Sequence, residues 1–167
     1  MDEIVNKVAK SGLITIDLAE FKPLDLVELD IASQLWEGMV LKETDFRDWV
    51  KMHDWSSYQN KNVCVFCSAD AIIPAWAFML VVSNLTPFTQ MAIVGSLSDL
   101  EKQVIQANIQ ILEKSDYTDK RIVIKGCSDI PHQQFALGVI TSWLQANVKS
   151  IMFGEPCSTV PIYKRKK

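Results

Sequence analysis

The sequence predicts an α/β protein in which a mostly parallel sheet of about five strands lies between helices on both faces, a three-layer arrangement. Four apolar runs rich in β-branched residues, at 62–67, 91–95, 121–126 and 150–154, end 28, 31 and 28 residues apart. A unit of strand, helix and parallel strand takes about 30 residues, and each connecting segment has a helical pattern. Strands that alternate with helices in this way form a parallel sheet that is covered on both faces.

Three helices are predicted to connect or follow these strands. The segment 71–85 is almost wholly apolar, as expected for a helix that is buried on most sides. Ser98 and Glu101 have the spacing of a capping box, which predicts a helix that begins there and reaches about Lys114. The segment 133–148 carries apolar residues at helical spacing.

The first 60 residues are less regular and predict an irregular α+β portion. The expected elements are a strand at 13–18 and helices at 2–10, 30–38 and 44–53, of which Asp30 and Thr44 cap the last two. Such a portion would add one or two edge strands and cover one face of the sheet.

Together these elements predict a single domain over residues 1–167. Its N-terminal covering portion is 1–60, its repeated βα units are 61–160, and the basic residues 164–167 form a solvated tail. A chain of this length can bury its own core. Its 49% hydrophobic and 22% charged residues are ordinary for a folded protein.

Charge and hydropathy argue against several classes of partner. The net charge of −3 gives no general attraction to nucleic acid or to anionic membranes. The N-terminus lacks the apolar core of a signal peptide, and the longest apolar stretch, 71–82, is too short to span a bilayer. We therefore expect a cytoplasmic protein with reduced cysteines, no nucleic-acid or membrane partner, and a homodimer as the default assembly.

Three of the four cysteines precede a serine just beyond an apolar run. These are Cys67, Cys127 and Cys157, each at or beyond the end of a predicted strand. All strands of a parallel sheet end at one edge, where ligands bind in open α/β folds. If the runs belong to one sheet, the three thiols lie along that edge and can converge on a single site.

A shared metal ion is the first interpretation of these cysteines. Three thiolates need one further ligand to complete the tetrahedral coordination of zinc, and iron is the alternative metal. Asp70, at the predicted start of a helix, is our first choice for that ligand. His53, Asp54 and Glu155 are alternatives, and a water molecule would leave an open catalytic position.

Two other interpretations of the cysteines stay open. In one, the protein is a thiol-dependent enzyme with Cys67 as its nucleophile, His53 or His132 as the base, and Glu155 as a further catalytic candidate. In the other, the protein is a non-catalytic scaffold with buried structural cysteines, because free cysteine is among the most buried residue types. Ser68 and Ser128 would then serve as helix caps.

Other apparent motifs are discounted. Cys64 and Cys67 have CxxC spacing, but side chains three apart in a strand point to opposite faces, so Cys64 is assigned to the core. Neither a GxGxxG nor a GxxxxGK[ST] pattern occurs, so no nucleotide cofactor is expected.

Longer motifs resemble a known family. The segments "CSADAIIPAWAFML" (67–80), "IKGCS" (124–128) and "SIMFGEPCSTVPIYK" (150–164), together with "GLITIDL" (12–18) and "HDW" (53–55), are similar to the bacterial family labelled domain of unknown function 2480. The resemblance covers nearly the whole chain. It implies a small cytosolic α/β domain and brings no established activity, substrate or catalytic residue.

Overall fold

A computed structural model describes residues 12–155 and 158–166 of the protein. Its strands are β1 (Leu13–Ile16), β2 (Leu26–Asp30), β3 (Asn62–Phe66), β4 (Met91–Val94), β5 (Arg121–Ile124), β6 (Ser150–Glu155) and β7 (Ser158–Lys164). Within the described residues they form two sheets, with the orders β1-β5-β6-β7 and β2-β3-β4. Every neighbouring pair is parallel except β6 and β7. The mainly parallel α/β fold is therefore confirmed, whereas the single sheet of about five strands is wrong and the three-layer arrangement stays a prediction.

The α-helices in this part of the chain are α1 (Glu43–Met52), α2 (Ala75–Leu85), α3 (Leu97–Gln110) and α4 (Gln133–Leu144). The capping box of α3 lies two residues earlier than predicted. The Asp99 amide donates to Ser96 Oγ at 3.3 Å, and the Ser96 amide donates to Asp99 Oδ2 at 3.0 Å. No helix in the described part of the chain is long and apolar enough to cross a bilayer.

The N-terminal portion differs most from prediction. The helix predicted at 30–38 is only a short 3₁₀ turn, Ala32–Gln34, because residues 26–30 form strand β2 instead. Helix α2 begins after Pro74 rather than at residue 71. The predicted helix at 2–10 lies outside the described residues.

The C-terminal residues 164–166 are not simply a solvated tail. Lys164 ends β7. The Arg165 guanidinium pairs with Asp119 and donates to the carbonyl oxygens of Ala146 and Asn147, the latter at 2.7 Å. These bonds tie the end of the chain to the loops that precede β5 and β6.

The described chain divides into two compact units. The four-stranded unit contains residues 12–22 and those from 105 onward, and the three-stranded unit contains 23–104. The boundary at residue 105 falls inside helix α3. The prediction of a single domain stays a prediction.

The two units follow the same plan, which we call the internal repeat. Residues from 43 onward correspond to residues 59 positions later, so that Tyr58 corresponds to Tyr117 and Leu85 to Leu144. Corresponding residues are called counterparts below, and eight pairs of counterparts are buried in both cores. The buried pairs are Phe46/Ile105, Val50/Ile109, Val63/Ile122, Cys64/Val123, Val65/Ile124, Ala77/Ala136, Val81/Ile140 and Leu85/Leu144.

Backbone details repeat as well. Asn60 and Asp119 both have left-handed backbones, with φ values of 60° and 57°. The Asn60 amide donates to Phe88 O at 2.8 Å, and the Asp119 amide donates to the counterpart Asn147 O at 3.0 Å. The first strands, β1 and β2, also correspond, because Ile16 pairs with Ile124 in one unit and Leu29 with Val65 in the other. Strand β7 has no counterpart among the described residues.

Candidate functional site

At the carboxyl edge of the four-stranded sheet, an aspartate and a serine tie two strand ends together. Asp17 follows β1, and Ser128 lies in the loop after β5. Ser128 Oγ donates to Asp17 Oδ1 at 2.9 Å and accepts from the Leu18 amide at 3.2 Å. Asp17 Oδ1 also accepts from the Ala19 amide at 3.0 Å, which caps a 3₁₀ turn.

A lysine completes this arrangement. Lys125 Nζ donates to Asp17 Oδ2 at 2.9 Å. That hydrogen bond, with those from the Ala19 amide and Ser128, lowers the pKa of Asp17 to about 2, and the same carboxylate raises the pKa of Lys125. Both groups are charged near neutral pH, so Lys125 cannot act as a general base there.

The three-stranded unit has a similar aspartate–serine pair without the lysine, although its serine, Ser68, lies one position before Ala69, the counterpart of Ser128. Asp30 Oδ2 accepts from Ser68 Oγ at 2.5 Å, and Asp30 Oδ1 accepts from the Ser68 amide at 3.0 Å. Phe66 stands where the other unit has Lys125. Ser68 and Ser128 were predicted as helix caps, but neither residue caps a helix. At both corners the serine of the Cys-Ser pattern anchors its loop to an aspartate at the end of the adjacent strand.

The cysteines at these corners do not share a sheet. Cys67 follows β3 of the three-stranded sheet, is half-buried, and has its Sγ 3.8 Å from Ala69 O. Cys127 follows β5 of the four-stranded sheet and is exposed. The expectation that one sheet edge would unite the thiols is wrong. Cys157 lies outside the described residues, so its part in a shared site stays a prediction.

The predicted metal ligands find no support in the described part of the chain. Among residues 12–155 and 158–166, no three His, Cys, Asp or Glu side chains are grouped closely enough to hold a metal ion. Asp70 is exposed in the loop before α2, not at a helix start. Glu155 is exposed at the end of β6. Exposed Cys127 does not fit a buried structural role, whereas Cys64 is buried in the core, as predicted.

His53 belongs to an aromatic cluster. It directly follows α1, and its ring centroid lies 5.0 Å from that of Trp49 and 4.5 Å from that of Trp55. His53 Nε2 lies 3.2 Å from the Tyr58 hydroxyl. Burial lowers the pKa of His53, although the charge of Asp54 opposes this shift.

Within the described residues, the hydrogen bonds of Cys67 and His53 do not join these two candidates for thiol chemistry. Asp54 is engaged as the cap of a 3₁₀ turn and accepts from Ser56. His132 is half-buried and precedes α4 with a left-handed backbone, φ 52°. Of the catalytic candidates, His53 thus packs against aromatic rings, whereas Glu155 is exposed at the end of β6.

An open groove lies elsewhere in the four-stranded unit, on the face of the sheet that α4 covers. Its volume is about 490 Å³. One wall is a stripe along α4 and the opposite wall comes from three adjacent strands. The lining residues are Leu137, Gly138, Thr141, Ser142 and Gln145 from the helix and its end, and Ile124, Phe153 and Ile162 from β5, β6 and β7.

Gly138 keeps this groove open. A Cβ atom added there would meet no heavy atom within 4 Å beyond its chain neighbours and its own helical backbone. Glycine inside a helix costs about 1 kcal/mol relative to alanine. Its counterpart in the three-stranded unit is Met79, so this helix position accepts a long side chain. The fold alone does not explain a glycine here.

Sequence reasoning missed this groove for identifiable reasons. No strand was predicted after 150–154. Strand β7 contains Pro161, and proline is tolerated in a strand only at an edge. Without β7 the wall opposite α4 lacks Ile162. The lone glycine within the helical pattern 133–148 was the available signal, since such a residue often marks a packing or functional feature.

Comparison with known proteins identifies the family and nothing more specific. A family model described as "Protein of unknown function (DUF2480)" matches residues 2–165. The chain belongs to the DUF2480 family. No curated protein and no solved structure matches this DUF2480 chain. Its function must therefore be argued from its own residues.

Proposed function

We propose that this DUF2480 protein binds a small, uncharged, mainly apolar molecule in the groove beside α4. The observation that carries the proposal is the open space at Gly138. A volume of about 490 Å³ is within the range of about 300–1,000 Å³ that is usual for small-molecule sites.

The lining indicates the chemistry of the ligand. No acidic or basic residue lines the groove, so a charged ligand would lose hydration without gaining a partner. Leu137, Phe153 and Ile162 offer apolar contacts. Thr141, Ser142 and Gln145 supply hydroxyl and amide groups toward the carboxyl end of α4. These groups suit a ligand with one neutral polar group on an apolar body.

The internal repeat adds support. In the three-stranded unit, Met79 and Val82 stand at the counterparts of Gly138 and Thr141. Met79 is 71% exposed there, so the counterpart position carries an exposed side chain where the four-stranded unit has open space. The difference affects the surface of the helix but not its buried residues, which match in both units.

Gly138→Met tests the proposal, because methionine already occupies the counterpart position. The uncharged dye Nile red is titrated into each protein and its fluorescence recorded. We expect the substitution to raise the dissociation constant of the dye at least tenfold, which corresponds to about 1.4 kcal/mol. The matched control, Met79→Ala, is expected to leave dye binding unchanged.

Gly138→Ala separates binding from stability. Alanine should raise the free energy of unfolding by about 1 kcal/mol through its higher helix propensity while narrowing the groove. Dye binding that is unchanged in Gly138→Met, or lost equally in Met79→Ala, would contradict the proposal.

A further inference from the structure

A second cavity of the four-stranded unit has the opposite chemistry. It has a volume of about 640 Å³ and lies where β5 and β6 begin and β7 ends. Met152 lines this cavity and Phe153 lines the groove beside α4. Successive side chains of a strand point to opposite faces of the sheet, so the two cavities lie on opposite sides of β6.

Three cations line this cavity, which we call the basic pocket: Arg121, Lys149 and Lys164. No acidic residue lines it. Sheet register places two of the cations in one row across three strands, because Arg121 pairs with Ser150 and Ser150 in turn pairs with Lys164. Adjacent strands lie about 4.8 Å apart, so these positive charges face one opening in a chain whose net charge is −3.

None of the three cations forms an ion pair with a described residue. Arg165, which directly follows Lys164, behaves differently, since it is paired with Asp119 and bonded to two backbone carbonyls. The basic pocket therefore gathers charges that repel one another and have no described partner to balance them.

The internal repeat indicates that the fold does not require these charges. The counterpart of Arg121 is Asn62 and that of Lys149 is Gln90, both uncharged. Gln90 and Lys149 nevertheless make the same backbone hydrogen bond. Gln90 N donates to Lys61 O at 2.9 Å, and Lys149 N donates to Lys120 O at 2.8 Å. Structural need therefore does not account for the two cations.

We infer that the basic pocket binds a small organic anion, a phosphate ester or carboxylate attached to an apolar or aromatic body. Arg121 suits the anionic group, because a guanidinium can donate two parallel hydrogen bonds to phosphate or carboxylate. Lys149 and Lys164 add charge, and the Tyr163 ring with Met152 and Pro161 provides surface for the body. This inference does not depend on the groove beside α4.

Binding is tested by isothermal titration calorimetry with 2-naphthyl phosphate. Inorganic phosphate carries the charge without the apolar body, and 2-naphthol carries the body without the charge. We expect 2-naphthyl phosphate to bind at least tenfold more tightly than either. Equal affinity for inorganic phosphate, or no heat of binding from 2-naphthyl phosphate, would overturn the inference.

Matched variants localise the site. Arg121→Gln combined with Lys149→Gln should raise the dissociation constant of 2-naphthyl phosphate at least tenfold. The control combines Lys61→Gln with Lys120→Gln and removes the same charge outside the pocket lining. It should change the dissociation constant of 2-naphthyl phosphate less than twofold. If both double variants weakened 2-naphthyl phosphate binding equally, net charge alone would explain the effect and the inference would be overturned. Thermal unfolding of each variant confirms that it is folded.

Phosphate and carboxylate ligands are distinguished by repeating the titration with 2-naphthoate. Tighter binding of one naphthyl compound assigns that anionic group to the pocket. The same titrations in Gly138→Met should be unchanged, because that substitution affects only the groove. Loss of 2-naphthyl phosphate binding in this variant would place the anion in the groove and contradict the inference.

Discussion

The same helix position carries Met79 in the three-stranded unit and Gly138 in the four-stranded unit. Met79 is 71% exposed, and Val94, at the end of the same unit's last strand, is 53% exposed. In the four-stranded unit, β7 adds to the counterpart strand β6, and the counterpart helix is recessed at Gly138. The result is an open groove where the other unit presents apolar side chains to solvent.

The comparison separates the positions that the fold requires from those that it leaves free. Buried counterparts differ only in modest ways, such as Cys64 against Val123 and Val81 against Ile140. The aspartate–serine anchors also recur. By contrast, Phe66, Asn62 and Met79 have Lys125, Arg121 and Gly138 as counterparts. We infer that the four-stranded unit carries the binding functions and that the shared features maintain the fold.

The largest expected effect tests the equivalence of the two cores. Leu85 and Leu144 are counterparts, and both are fully buried. Replacing either one with alanine should lower the free energy of unfolding by about 3 kcal/mol, because it removes buried surface and leaves a cavity. Urea unfolding followed by circular dichroism and tryptophan fluorescence measures this.

Met52→Ala is the control for these leucine variants, since Met52 is 86% exposed and its loss should cost less than about 0.5 kcal/mol. A cost below about 1 kcal/mol at one leucine but not the other would break the equivalence of the cores. Coincident transitions by the two probes would support the prediction of a single domain.

Cysteine labelling sharpens the comparison of the two corners. Exposed Cys127 should react with iodoacetamide at least about tenfold faster than Cys64, with half-buried Cys67 between them. Cys64 is buried, and that burial also raises the pKa of its thiol. Peptide mass spectrometry measures each rate, with urea-unfolded protein as the control. Equal native rates for Cys64 and Cys127 would contradict the packing described.

The two aspartate–serine anchors should respond differently to acid. Because the pKa of Asp17 is lowered from 3.8 to about 2, its ionised form stabilises the folded protein above pH 4, and this contribution is lost as the pH falls toward 2. Asp17→Asn should therefore be less stable than wild type at pH 6 and approach it near pH 2.

Asp30→Asn should follow the same trend less strongly, because a serine but no lysine holds the Asp30 carboxylate. Chemical denaturation across this pH range compares the two variants. A stability difference for Asp17→Asn that is constant between pH 6 and pH 2 would rule out the charge pair as its cause.

The smallest expected effect concerns His53, whose counterpart is Leu112. The pKa of His53 in the folded protein is below the ordinary value of 6.5. The contribution of His53 to stability is therefore present above pH 6.5 and is lost as the pH falls below 6.5. His53→Leu should flatten the decline in unfolding free energy between pH 7.5 and 5.5. An unchanged slope in His53→Leu would assign the decline to other groups.

Much of the fold was predictable because helix and strand periods are local. The runs at 62–67, 91–95, 121–126 and 150–154 are all parallel strands, and 13–18 contains β1. How strands group into sheets depends on contacts distant in sequence, and the spacing of about 30 residues is the same whether the strands form one sheet or two. Strand β2 was missed because Asp30 was interpreted as a helix cap, whereas it ends the strand and its Oδ1 accepts from the Ala32 amide.

The site was less predictable than the fold. The Cys-Ser pattern was a real regularity, but at two corners its cause is the serine, whose aspartate partner lies 38 residues away at Asp30 and 111 away at Asp17. The groove depends on a missing side chain and on an edge strand interrupted by proline. Neither carries the reactive groups by which sites are usually recognised in a sequence.

The most direct test of the central claim is a methyl NMR titration of the wild-type protein with Nile red. We expect the isoleucine signals of Ile124 and Ile162 to shift together and to saturate, because both residues line the groove. Signals of Ile72 and Ile93 in the three-stranded unit should not move. Saturating shifts at Ile72 or Ile93, with Ile124 and Ile162 unchanged, would contradict the assignment of binding to the four-stranded unit.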